Sequence, residues 1–217
     1  MPAAEALAGL AAQLHLSLSA AQSDALLAYL ALLQRWNTTH NLTSVRTPEG
    51  MWTQHLADCL AVIGPLQRHL SAGTLLDVGS GGGLPGAMVA ICMPAVQVAC
   101  VDSGSKKAAF IRQAAGELHL KNLQSVHARV ETMPAGGFDI VCSRAFASLD
   151  DFTRLSAAQL SGTGVWMAMK GQRPDAELQV LPANIDVFHV EQLHVPGLDA
   201  QRCLVWMRPA RPSSLTT

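Results

Sequence analysis

The stretch from Thr74 to Gly86, TLLDVGSGGGLPG, limits what this chain can become more than any other. Leu75 and Leu76 lead into Asp77 and Val78, and then Gly79, Ser80, Gly81, Gly82 and Gly83 leave a backbone almost without side chains. Leu84, Pro85 and Gly86 follow, and an apolar run from Ala87 to Met93 starts at once. The pattern predicts a buried strand, a glycine turn and a helix with Pro85 at its first position, where the missing N–H costs nothing. Glycines admit positive φ and let a ligand approach the backbone closely. The helix start is expected to offer free N–H groups and a partial positive charge. Such a turn holds a small molecule.

The surrounding pattern agrees with an α/β domain. From Thr74 onward, strand and helix periodicities alternate, which implies a parallel sheet with right-handed crossovers. Leu75–Val78, Val96–Val101, Leu123–Ala128, Phe138–Ser143 and Val165–Met169 read as strands. Pro85–Met93, Ser105 to about Leu120 and Leu149–Leu160 read as helices between them. Val187–Val195 and Arg202–Met207, joined by Pro196-Gly197, read as an antiparallel hairpin at the sheet edge. Ahead of the glycine turn, residues 4–14 and 20–36 have helical spacing, and Ser19 suits the N-cap of the second. The polar run NTTHNLT, from Asn37, is expected to end that helix. Thr47 and Pro48 then open a third, expected to run to about Ile63. The chain thus divides into a helical extension or cap (1–72), a ligand-binding core (73–209) and a tail (210–217) expected to be disordered.

Composition narrows the function classes. The 217 residues are nearly half hydrophobic and only 14% charged, so a sizeable core is available. No apolar run approaches the roughly 20 residues that span a bilayer, and no signal peptide is evident, so a cytoplasmic protein is expected. The five cysteines lack C-x-x-C spacing and have apolar neighbours, as buried free thiols do. The eight histidines lack zinc-ligand spacing, so no metal is expected. A net charge of −1 gives no global signal for nucleic acid. Locally, Lys106, Lys107, Arg112, Lys121 and Arg129 face only Glu117, which suits either a phosphate-facing patch or a solvated helix face.

Ligands of doubly wound sheets sit at the carboxyl ends of the strands. Asp102 ends the second strand, 23 residues after Gly79, a spacing that suits an acid accepting hydrogen bonds from a ribose diol. Two cofactors compete for the turn. A dinucleotide fingerprint exists as Gly81-x-Gly83-x-x-Gly86, but it starts three residues beyond Val78. Asp77-x-Gly79-x-Gly81-x-Gly83 starts at the strand itself. An acid there repels a pyrophosphate and suits a ligand carrying an amine and a sulfonium, which favours S-adenosylmethionine over NAD. Asp77 alternatively ties the turn down through backbone N–H groups; the two roles are compatible.

The segments DVGSGGGLPG, VDSGSKKAAFIRQAAGELHLKN, VHARVE, FDIVCSRAFASL and AMKG, with RWNTTHNLT and QHLADCL upstream, closely resemble the RsmG (GidB) family. That resemblance covers roughly residues 25–171. It implies a class I, Rossmann-like methyltransferase: a seven-stranded, mostly parallel sheet with helices on both faces and an N-terminal helical cap. It implies S-adenosylmethionine as cofactor, and methylation of guanine N7 at position 527 of 16S rRNA in the small ribosomal subunit. By the same resemblance Gly79 and Leu84 line the cofactor pocket beside Asp77 and Gly81. Asp102 holds the ribose, Val130 and Glu131 lie against the adenine, and Arg144 completes the cofactor or guanine site. Arg129, Arg112 and Lys170 are candidate RNA contacts. Leu84 stands where the family often has an aromatic, and Cys59 replaces a common serine after His55-x-x-Asp58.

Bland readings stay open beside these. Glu131 also suits a surface charge, Arg144 a structural ion pair, Lys170 a solvated position, and His55 with Asp58 a local hydrogen bond steadying the cap. Methyl transfer to N7 needs no general base, since N7 presents a lone pair and loses no proton. The absence of a catalytic dyad is therefore expected. A nicotinamide-dependent oxidoreductase and a noncatalytic ribosome-assembly factor are the alternative functions, and a monomer is expected by default.

Overall fold

The computed structural model describes residues 3–144, 146 and 148–210. The helices in chain order are α1 (Ala3–Gln13), α2 (Ala20–His40), α3 (Pro48–Met51), α4 (Asp58–Leu60), α5 (Ile63–His69), α6 (Gly86–Cys92), α7 (Ser105–Glu117), α8 (Leu149–Ser156) and α9 (Asp175–Gln179). Among the described residues seven strands form one sheet: β1 (Gly73–Val78), β2 (Val96–Asp102), β3 (Leu123–His127), β4 (Phe138–Ser143), β5 (Leu160–Lys170), β6 (Ile185–Leu193) and β7 (Arg202–Pro209). Their spatial order is β3-β2-β1-β4-β5-β7-β6. The first five pair in parallel; β7 runs antiparallel to β6, as the Pro196-Gly197 connection implied, and antiparallel to β5 as well.

The inner strands are apolar on both sides, so alternate residues serve two different cores. Leu75, Cys100, Ile140, Cys142, Met167, Leu204 and Trp206 point to the side that also buries Leu7, Leu26, Leu33, Met88 and Phe110. Leu76, Ala99, Val101, Val141, Trp166, Val205 and Met207 point to the other, packing with Phe152 of α8. The N-terminal helices share the first core with α6 and α7. All five cysteines are free and buried in the molecule. The strand order reverses between β1 and β4, which brings the carboxyl ends of β1, β2 and β4 to one rim.

Several boundaries differ from the sequence expectations. Helix α2 continues through Asn37 to His40. Asn37 is buried, donating to the Val45 carbonyl at 3.0 Å and accepting from the Thr43 N–H at 2.9 Å, so its polar side chain does not break the helix. The helix stops at Asn41, which takes the left-handed conformation at φ 50°. Thr47 caps α3 by accepting from the Gly50 N–H, as expected, but α3 soon gives way to a π-helical segment, Trp52–Ala57. Pro85 is the residue before α6 rather than its first, after a cis Leu84–Pro85 peptide. Of the tail expected to be disordered, Ala210 donates to the Asn184 carbonyl, and residues 211–217 lie outside the described residues.

Candidate active site

The glycine turn closes on β2 before it meets any ligand. The N–H groups of Gly79 and Ser80 both donate to the Val101 carbonyl, at 2.9 and 3.2 Å. Gly83 and Leu84 fold back onto the Ser80 carbonyl. Gly79, Gly81 and Gly83 have φ of 66°, 58° and 83°, a region costly for any residue with a Cβ. Asp102 then stitches two turns together, its Oδ2 accepting from the Gly81 N–H at 2.9 Å and its Oδ1 from the Gly104 N–H at 2.8 Å. Lys107 Nζ stands 3.5 Å from the same Oδ2. A carboxylate has about four lone-pair sites, so Asp102 keeps capacity for a diol.

Behind the turn, Asp77 is fully buried and its Oδ2 accepts from the Gly86 N–H at 2.8 Å. Its Oδ1 has no hydrogen-bond partner among the described residues. Burial pushes its pKa up to about 7, against the opposing pull of the Gly86 N–H and Arg144. The expectation of free N–H groups at the helix start is corrected here. Gly86 donates to Asp77 and Ala87 to the Gly83 carbonyl, so the first two N–H groups of α6 are already taken. The same bond tells against a pyrophosphate on Gly81-x-Gly83-x-x-Gly86, because the third glycine is buried against a carboxyl group.

A cavity of about 330 Å³ opens at the carboxyl ends of β1 and β2. Gly79, Asp102, Arg129, Val130 and Glu131 all contribute to its wall, together with apolar Val101, Phe146 and Leu155. Val130 and Glu131 sit on a short 3₁₀ turn after β3, and Glu131 pairs with Arg129 at 3.6 Å. An acid beside a glycine backbone and an apolar slot is a combination that suits a nucleoside, with a carboxylate able to accept from a diol and a slot able to take a purine. The donor set therefore fits the adenosyl part of S-adenosylmethionine.

The other sequence candidates fall elsewhere. Asp77 and Gly81 stand behind or within the turn, and Leu84 is buried in the core beneath the N-terminal helices. Arg112 is exposed on α7. Arg144 and Lys170 line a second cavity of about 480 Å³, with Thr43, Ser44, Gln54, His55, Asp58 and Arg202. Arg144 Nη1 lies 2.8 Å from the Gln54 carbonyl and 3.2 Å from Asp58 Oδ2. Lys170 is neither solvated nor free, since both Glu177 oxygens lie within 3.0 Å of its Nζ. His55 does not bond Asp58 despite their spacing. Its Nε2 meets Thr43 Oγ1 at 2.8 Å, and burial followed by the nearby Arg144 lowers its pKa, holding the imidazole neutral.

Arg202 went unnoticed in the sequence. Its one local signal was a charged residue opening an apolar strand, which commonly marks a buried or rim charge with a partner.

This strand order, with a nucleoside-sized cavity at the β1 and β2 ends, defines a class I, Rossmann-like methyltransferase fold. Solved structures of that fold superpose accordingly. A Burkholderia thailandensis 1,6-didemethyltoxoflavin-N1-methyltransferase, solved with S-adenosylhomocysteine, has a TM-score of 0.60 at 15% identity, covering 85% of this chain and 90% of that one. A SAM-dependent methyltransferase from Aquifex aeolicus has a TM-score of 0.59 at 13% identity, covering 77% and 96%. The family profile of rRNA small subunit methyltransferase G matches residues 22–205, and this chain belongs to that family. Ribosomal RNA small subunit methyltransferase G of Paracidovorax citrulli is 57% identical over 211 residues, covering 91% of this chain and 86% of the relative. The Acidovorax sp. (strain JS42) protein of the same name is 57% identical over 206 residues, covering 90% and 91%.

Proposed function

We propose that this chain transfers the methyl group of S-adenosylmethionine to N7 of a guanine, at position 527, in the 16S rRNA of the small ribosomal subunit. It acts in the cytoplasm as a monomer, with residues 1–72 as a cap over the 73–209 core. Among the described residues no helix is long and apolar enough to cross a membrane. The observation that carries the proposal is the meeting of Gly79, Asp102 and Val130 on one cavity, with Arg144 on a second at the same rim. Family membership supplies the acceptor.

Asp102 holds the ribose, Gly79 gives the cofactor chain a side-chain-free approach, and Val101, Val130 and Leu155 flank the adenine. When bound, the cofactor supplies an electrophilic methyl on a sulfonium. The protein's own task is alignment and charge management, because no proton leaves N7. Arg144 orients the acceptor through an oxygen of the guanine or its phosphate. The target base must be unstacked or already in a loop to enter. Deleting the gene in its host and mapping 16S rRNA by mass spectrometry tests the proposal. Loss of one 7-methylguanosine is expected; an unchanged modification pattern contradicts it.

A further inference from the structure

The wall of the second cavity contains a buried carboxylate that holds two other residues of the same wall. Asp58 is 2% exposed and lies where the π-helical segment turns into α4. Its Oδ2 lies 3.2 Å from Arg144 Nη1, just past β4, and its Oδ1 accepts from Arg202 Nε at 2.8 Å, at the start of β7. Both arginines are about three-quarters buried, with side chains 27% and 24% exposed, and both line the cavity. Arg144 Nη1 is further held by the Gln54 carbonyl, and Arg202 Nη1 by the Gln201 carbonyl at 2.8 Å.

A guanidinium has five N–H donors. Among the described residues, Nε and Nη2 of Arg144 and Nη2 of Arg202 are left for a ligand. Two cations sharing one carboxylate leave a net positive charge on that wall, which suits oxygen atoms of a nucleotide. Two long arginines would otherwise sample many rotamers. One buried carboxylate on α4, tied to the β4 end and to the start of β7, removes that freedom before the acceptor arrives.

We infer that Asp58 is the positioning residue of the methyl-acceptor site: it fixes Arg144 and Arg202 in one relative orientation and so couples the N-terminal helices to acceptor alignment. This rests on the proposal that the second cavity takes the acceptor. The test uses the full chain, small subunits from a deletion strain as substrate, and S-adenosylhomocysteine as the calorimetric probe of the cofactor cavity. Asp58→Asn keeps the volume and removes the charge. We expect kcat to fall by about tenfold or more, the scale of a lost charge-assisted hydrogen bond, with probe affinity unchanged. In an Arg202→Gln background the same substitution should cost less than in the wild type, because one of the two pairs it breaks is already gone.

Unchanged kcat, or loss of probe affinity in parallel with kcat, overturns the inference. Should Asp58→Asn not fold, Asp58→Glu retains the charge and displaces both guanidinium groups by one methylene. It is expected to fold, melting below the wild type because of the added methylene, and to lose kcat with probe affinity retained; full activity overturns the inference. A wild-type protein that methylates no small subunits would instead sink the proposed function, so the two failures are distinguishable.

Discussion

The phenol of Tyr29, on α2, donates a hydrogen bond to the backbone carbonyl of Gly82, in the middle of the glycine turn. The ring is buried and meets Phe110 of α7 edge-on, at 5.8 Å between centroids. The N-terminal helices are thereby fastened to the loop that shapes the cofactor cavity. Burial raises the Tyr29 pKa well above its ordinary value, so the hydroxyl remains a donor.

Tyr29→Phe leaves the Gly82 carbonyl without its partner in a dry environment. A stability loss of about 1–3 kcal/mol is expected, read from urea unfolding. Unchanged stability would mean that the carbonyl finds another donor at no cost.

Asp102→Ala removes the carboxylate proposed to accept from the ribose diol and the tie between the Gly81 and Gly104 N–H groups. Affinity for S-adenosylmethionine, by calorimetry, is expected to fall by about 1–3 kcal/mol. Undiminished affinity would place the ribose elsewhere.

Asp77 makes stability depend on pH. Its folded pKa, about 7, lies above the ordinary carboxylate value of 3.8, so ionisation opposes folding. Below the unfolded value there is no penalty; it accumulates as pH rises from about 4 to about 7 and is constant above that. Asp77→Asn keeps an acceptor for the Gly86 N–H and cannot ionise. The variant is expected to gain on the wild type by a few kcal/mol, on the order of the burial penalty, between pH 4 and 7. Parallel stability–pH curves for the two proteins would contradict this.

Gly86 has no room for a side chain. A Cβ there would lie 2.4 Å from Cys100 Sγ and 3.0 Å from Asp77 Oδ2. Gly86→Ala is expected to destabilise by about 1–3 kcal/mol, as overpacking does. Cys100→Ala in the same chain should recover part of that loss, a non-additivity visible in denaturation midpoints. Strictly additive effects would show that the two atoms do not compete for space.

Much of this was legible in the chain, because it rested on periodicity and on glycine. The period of two that splits Leu75 from Leu76, or Met167 from Ala168, marks strands whichever face they serve. The offset of Asp77, Gly79, Gly81 and Gly83 marks a turn with positive φ. What was not legible depended on direction and on partners distant in sequence. Nothing local says that the Arg144 side chain leaves the β4 end towards Asp58 and not towards the cavity holding Asp102. Nothing in WTQHLA distinguishes a π-helical segment from an α-helix. Asn37 looked like a helix breaker because its partners, Thr43 and Val45, return to it only once the chain has folded. Strand β5 starts at Leu160, five residues before the sequence suggests, because Gly162 and Gly164 hide its outer half.

The proposed activity is tested most directly by incubating the purified chain with methyl-tritiated S-adenosylmethionine and small ribosomal subunits lacking the modification. The rRNA is then digested and its nucleosides separated. Label in 7-methylguanosine, from a single 16S fragment and lost with Asp102→Ala, is the predicted result. Label in another nucleoside, or none on subunits that a related family member methylates, would contradict it.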